Sequence, residues 1–156
     1  MTETSFNALK QTSLFGGLSD AHLSLIAELT EIREAAKDSF VFCEGEEGDA
    51  FYLILQGRIR ISRRIAGVGE EALAVLEAGG YFGEMALLDD LPRSADAVAH
   101  EHAVLLRLGR QDLMDLLFVD REIACEVLWS FVRTLSARLR ETGDKLTFLT
   151  VSSRFG

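Results

Sequence analysis

The sequence predicts an α+β chain, mainly β: a β-roll of jelly-roll type set between N-terminal helices and a long C-terminal helix. Three observations lead there. From about Ser39 to Gly109, short β-branched or aromatic runs alternate with glycine turns, the pattern of a compact antiparallel roll. On either side, apolar residues recur at spacings of three and four, the period of a helix buried on one face. At 156 residues, 48% hydrophobic and 26% charged, the chain fits a single domain (1–156) long enough to bury a core.

In chain order, residues 5–34 read as helical. Phe6, Leu9 and Leu14-Phe15 supply apolar positions before a break at Gly16-Gly17. Ser19 or Asp20 then suits the N-cap of a helix from His22 to Glu34, with Leu23, Ile26, Ala27 and Leu29 on one face. The roll, 35–109, is expected to use strands Ser39–Cys43, Ala50–Leu55, Arg58–Arg64, Ala72–Leu76, Ala95–Ala99 and Ala103–Leu108. Helices return over 110–152. Asp120 is placed to cap a long helix through at least Glu141, with Ile123, Val127, Leu128, Phe131, Leu135 and Leu139 at helical spacing. Leu128, Phe131 and Leu135, with Ala124 and Thr142, fit a coiled-coil-like seam, while Trp129 and Val132 fall on other faces. A helix apolar on several sides packs on the roll and on a second copy, or sits deeper within one chain. Gly143 marks a helix end or a hinge, at a cost of about 1 kcal/mol relative to alanine.

Composition narrows the function classes. A net charge of -9 argues against non-specific binding to DNA or to anionic membranes. No apolar run approaches bilayer length, and Met1–Ser5 has no secretion-signal character; both point to a cytoplasmic chain. Cys43 and Cys125 have no metal or redox spacing and read as reduced core thiols. His22, His100 and His102 form no metal set, so no metal is expected. No Gly-x-Ser-x-Gly elbow, P-loop lysine or His-Glu-x-x-His occurs, and no nucleophile–base constellation supports an enzyme.

The stretch from Gly80 to Ala95, Gly-Tyr-Phe-Gly-Glu-Met-Ala-Leu-Leu-Asp-Asp-Leu-Pro-Arg-Ser-Ala, carries the chemistry. A glycine turn enters one short helical turn, whose free backbone N–H groups favour a phosphate. Arg93 follows, able to clamp the same anion with its planar fork, and Ser94 can add a hydroxyl donor. Glu84 is out of place beside a phosphate unless it accepts from the ligand's own hydroxyls, as an acid does with a ribose 2′-OH. Gly83 lets the phosphate approach the backbone. The pattern is that of a sugar-phosphate pocket. Arg93 in a surface ion pair and Glu84 as a helix-start charge are the plainer alternatives.

Phe82-Gly83-Glu84-Met85-Ala86-Leu87-Leu88 followed by Pro92-Arg93-Ser94-Ala95 resembles the phosphate-binding cassette of cyclic nucleotide-binding domains. Upstream, Phe42-Cys43-Glu44-Gly45-Glu46-Glu47-Gly48-Asp49-Ala50-Phe51-Tyr52-Leu53-Ile54-Leu55-Gln56-Gly57 resembles the same family's glycine-punctuated strand pair. The likeness extends over nearly the whole chain and is nearest to catabolite-activator-type sensors. It implies a non-catalytic sensor for cyclic AMP or cyclic GMP, contacted by Phe82, Gly83, Glu84, Met85, Ala86, Arg93, Ser94 and Ala95. Arg93 and Ser94 would take the cyclic phosphate and Glu84 the ribose 2′-OH. Serine rather than threonine after the arginine inclines the choice to cyclic AMP. Thr142 matches a base-contacting threonine of the family's long helix, and Gly143 stands where a serine reaches the partner subunit's ligand. The resemblance also implies a homodimer through the C-terminal helix and a protein partner of unknown identity. It implies no DNA reading by this chain itself, since no helix-turn-helix follows the long helix. Asp96, an acid where the family has a small hydroxyl or an apolar residue, is a departure that would weaken anion binding if it faced Arg93; strand alternation would set the two on opposite faces and keep the penalty small. A nucleotide-free dimerisation or docking module, or the sensor half of a transcription regulator, are the competing readings.

Overall fold

A computed structural model describes residues 2–155. Two N-terminal helices, α1 (Thr2–Lys10) and α2 (Asp20–Glu28), precede eight strands: β1 (Thr30–Ala35), β2 (Phe40–Phe42), β3 (Ala50–Gln56), β4 (Ile59–Ile65), β5 (Gly69–Leu76), β6 (Tyr81–Phe82), β7 (Asp96–Ala99) and β8 (Ala103–Gly109). A 3-10 turn, Glu84–Leu87, lies between β6 and β7, and helices α3 (Arg110–Val119) and α4 (Arg121–Phe155) follow. The strands form two four-stranded antiparallel sheets, ordered β1-β8-β3-β6 and β2-β7-β4-β5.

Alternation along β3 and β8 divides the core. Phe51, Leu53, Leu106 and Leu108 face outward onto the helices, meeting Leu9, Phe15, Leu23, Ile26, Ile123, Val127 and Phe131. Tyr52, Ile54 and Leu105 face between the sheets, meeting Ile59, Phe82, Ala97 and Ala99. Successive side chains of a strand point to opposite faces, so one strand serves both clusters. Phe15 anchors the helical side, edge-on to both Phe51 and Phe131 with ring centroids 5.5 Å apart in each case.

The structure corrects several local expectations. The second helix ends at Glu28, not Glu34, and Thr30–Ala35 is a strand. Its β-branched Thr30 and Ile32 pair with Leu108 and Leu106 of β8, and that sheet pairing outweighs the helical period read from the sequence. Tyr81–Phe82, outside the expected strands, forms a short strand paired with Tyr52 and Leu53 of β3. Ser19 is the N-cap of α2, its side chain accepting from the His22 amide. Asp120 Oδ1 accepts from the amides of Glu122 and Ile123 at the start of α4. Gly143 neither ends nor hinges that helix, which runs through it to Phe155.

The expected seam on α4 is displaced. Phe131 is 1% exposed and sits in the core, so it cannot also face a partner. Among the apolar residues left exposed or half-exposed, which also include Trp129, Phe148, Val151 and Phe155, six fall in one row: Leu128, Val132, Leu135, Leu139, Leu146 and Leu149. With Thr142 they alternate at spacings of four and three, a regular heptad stripe. Cys125, expected in the core, is exposed on the same helix.

Candidate functional site

The two sequence motifs meet through backbone. The Gly45 amide donates to the Arg93 carbonyl at 2.9 Å, and the Arg93 amide donates to the Glu46 carbonyl at 2.8 Å. Gly48 lies so close to the 3-10 turn that a Cβ there would come within 2.6 Å of the Ala86 Cβ. These contacts hold the glycine turn after β2 against the arginine loop and the Glu84–Leu87 turn, the two segments that line one cavity.

That cavity has a volume of about 390 Å³ and is lined by Phe82, Gly83, Glu84, Met85, Ala86, Arg93, Ser94 and Ala95, with Phe42, Ile61, Leu76, Tyr81, Asp89, Leu91, Pro92 and Arg138. Its size suits a small organic ligand. Eight of the nine residues expected at the site therefore share it. Thr142 does not line it: on the exposed part of α4 its hydroxyl donates to the Arg138 carbonyl at 2.9 Å.

Arg93 is the buried cation of the site, its side chain 4% exposed. Nη2 donates to the Ala50 carbonyl at 2.8 Å and reaches Asp49 Oδ1 at 3.4 Å, and the guanidinium lies over the Phe42 ring at 3.9 Å. Burial draws its pKa down, opposed by Tyr52 and Asp49. Its Nε is buried and finds no hydrogen-bond partner among the described residues. A buried charged group with an unfilled donor is costly unless something completes it, so the cluster is incomplete as a purely structural one. Gly83 is required here: its φ is +76°, and a Cβ would come 2.8 Å from Arg93 Nη1 and 3.0 Å from the Ala50 carbonyl.

Glu84, mostly buried, is paired with Arg138 of α4, whose guanidinium also lies over the Tyr81 ring at 4.8 Å. The Tyr81 hydroxyl in turn meets the Ser13 hydroxyl at 2.7 Å. Thus α4 reaches the cavity through Arg138, one turn before the threonine singled out from the sequence. Phe42, Asp49, Tyr81 and Arg138 were missed as site residues. Phe42 and Asp49 lay inside the upstream motif; Arg138 carried no local signal, because only the packing of α4 brings it to Glu84.

Asp96 is turned away. It is 8% exposed, lies outside the cavity lining, and its Oδ1 accepts from the Glu44 amide at 2.7 Å. Its charge is engaged on backbone rather than opposing the cavity's cation. No cluster of three or more metal-ligating side chains occurs among the described residues, and no described helix is long and apolar enough to cross a membrane.

The family model for the cyclic nucleotide-binding domain matches residues 32–120. The chain belongs to that family. It is 36% identical to the cyclic AMP receptor protein of Thermus thermophilus over 90% of this chain and 63% of that protein, so it spans about three fifths of that relative's length. Its fold matches the N-terminal domain of a transcriptional regulator from Streptomyces coelicolor, with a TM-score of 0.77 and 31% identity, covering 89% of this chain and 94% of that one. A cyclic nucleotide-binding domain from Methylobacillus flagellatus matches with a TM-score of 0.76 and 30% identity, covering 92% and 81%. This cyclic nucleotide-binding domain is thus a regulatory fold of the catabolite-activator type.

Proposed function

We propose that the cavity binds a purine cyclic nucleotide, cyclic AMP in preference to cyclic GMP, and that α4 carries the response. The observation that carries this is the buried Arg93, with an unpartnered Nε, lining one cavity with Glu84 and Ser94. In this reading Arg93, the Ser94 hydroxyl and the backbone N–H groups around Gly83 and Glu84 hold the cyclic phosphate. Glu84 accepts the ribose 2′-OH. Ile61, Leu76, Met85 and Leu91 provide apolar surface for the base. Ser94 and the likeness to a cyclic AMP receptor favour adenine.

Arg138 links the ligand to the response. Its charge offsets the repulsion between Glu84 and a phosphate, so a bound nucleotide and the docked position of α4 favour each other. A ligand moves a conformational equilibrium only by its differential affinity for the two arrangements. The heptad stripe from Leu128 to Leu149 supports a homodimer through α4, the output being the surface that the paired helices offer to a protein partner. No step in this reading is catalytic.

Calorimetric titration of the folded, ligand-free protein with cyclic AMP and cyclic GMP tests the proposal. Saturable binding is expected, and Arg93→Ala should weaken it by about 2–5 kcal/mol, as truncating one partner of a buried charge pair does. Absence of heat with either nucleotide overturns it.

A further inference from the structure

We propose that Arg107 is a positioning residue for this site: by sharing Asp49 with Arg93, it keeps the Arg93 charge available to an anion. The inference rests on the reading of the cavity as a nucleotide site.

The backbone register creates the arrangement. Arg107 on β8 lies directly opposite Glu31 of β1 and Tyr52 of β3, so the three side chains share one face of the sheet. Arg107 Nη1 donates to Glu31 Oε1 at 2.9 Å, and Nη2 donates to Asp49 Oδ2 at 3.1 Å. The other Asp49 oxygen meets Arg93 Nη2 at the longer distance of 3.4 Å. Arg33 also donates to Glu31, at 2.9 Å. The result is a chain of alternating sign, Arg33–Glu31–Arg107–Asp49–Arg93, which ends with a cation in the cavity.

Three cations against two anions leave a surplus positive charge. Without Arg107 the sum is zero, and Asp49 has Arg93 as its sole cation in the chain. An incoming phosphate would then meet a neutral pair rather than a cation, and would compete with a carboxylate for the same guanidinium. Burial pulls the Arg107 pKa down, but Tyr52 and Asp49 more than offset it and the net shift is upward. Arg107 therefore stays charged throughout. Asp49 is 65% exposed at its side chain and sets one oxygen on each of its two partners.

The test is calorimetric titration with cyclic AMP and with cyclic GMP, at low and high salt, for the wild-type chain, R107Q, R107K, E31Q, D49N and R107Q/D49N. Thermal melts establish folding. R107Q should weaken the better nucleotide about 10-fold, the scale of one partly buried charge interaction, and should flatten the dependence of affinity on salt. R107K should recover most of the loss, and in the D49N background R107Q should cost much less, only the longer-range loss of one positive charge remaining. E31Q, which leaves Arg107 wholly to Asp49, should tighten binding; a role confined to joining β1 to β8 would make E31Q and R107Q equally harmful. If R107Q does not fold, E31Q decides: tighter binding supports the proposal and weaker binding overturns it. The proposal also falls if R107Q binds like the wild type, if its penalty is undiminished beside D49N, or if R107K is as weak as R107Q. A wild-type chain that binds neither nucleotide defeats the nucleotide reading itself, a result distinct from all of these.

Discussion

The first half of α4 is held in place by the rest of the chain. Ile123, Val127, Phe131 and Thr134 are buried, and Ser130 and Thr134 donate hydroxyl bonds to the carbonyls of Leu14 and Ser13. Beyond Leu135 every described residue of the helix is exposed, including Leu139 at 74%, Leu146 at 60% and Leu149 at 62%. Local propensity does not compensate. Gly143, Thr142, Thr147, Thr150 and Val151 are weak helix formers, and the three threonines bond back to carbonyls four residues earlier. Most helix stability in proteins comes from packing an apolar face, so the second half calls for a partner where the first half does not. Arg138 stands at the boundary and lines the cavity, so in the proposed reading the junction of the halves is where ligand and partner would meet.

Substitution in the first half gives the largest effect. Phe131→Ala empties a site packed against Phe15 and should cost about 3–5 kcal/mol, seen as a lower Tm at any protein concentration. Leu146→Glu in the second half should leave the monomer's stability within about 0.5 kcal/mol. It should instead weaken self-association at least about 10-fold, a like-charge pair replacing a leucine contact at a seam position, as read by sedimentation equilibrium. A Leu146→Glu chain that melts like Phe131→Ala would show that the contrast between the halves is false.

Gly143→Ala sharpens the same contrast at smaller scale. Nothing lies within 4 Å of a Cβ placed there, so the gain is the helix propensity alone, about 1 kcal/mol. It should appear as added far-UV helical signal and slower hydrogen exchange in the second half, with the first half unchanged.

The same division governs what could be read from the sequence. Where local chemistry and the final fold agree, the reading came close: the α2 cap narrowed to Ser19 or Asp20, the strands over Ala50–Leu55 and Ala103–Leu108, and a stretch from Phe82 to Ala95 whose expected residues line one cavity. It failed where the decision was tertiary. Thr30–Ala35 carries a helical period, but β8 supplies a partner strand along its whole length. Phe131 fits a heptad by spacing, yet Phe15 claims it for the core. Strand alternation already turns Asp96 from Arg93, but its partner in space, the Glu44 amide, lies 52 residues away and leaves no mark in the sequence. Arg138 joins the site only across a separation that no motif spans, and Asp49, inside the upstream motif, meets Arg93 only through the fold.

The smallest expected effect tests whether the halves respond separately. His22 Nδ1 meets Glu126 Oε2 at 2.8 Å, and the Ser19 amide donates to the same oxygen at 3.2 Å, tying α2 to the first half of α4. The Glu126 hydrogen bond holds the His22 pKa above its ordinary value of 6.5 against some desolvation, with Asp120 and Glu122 adding to the rise. The same bond, with the Ser19 amide, holds Glu126 below its ordinary value of 4.5. A raised histidine pKa contributes stability that is fully present below 6.5 and is lost as pH climbs through the raised value. A lowered carboxylate pKa contributes above 4.5 and is lost as pH falls through the lowered value. The pair is therefore most effective between those limits. The Tm of the wild type should fall slightly more than that of His22→Gln as pH is raised from about 6 to about 8.5, across the histidine range. Self-association through the second half, as proposed, should keep the same difference between Leu146→Glu and wild type across that range. A pH-dependent seam would mean that the anchoring of the first half is transmitted along the helix, and the two halves would then act as one element.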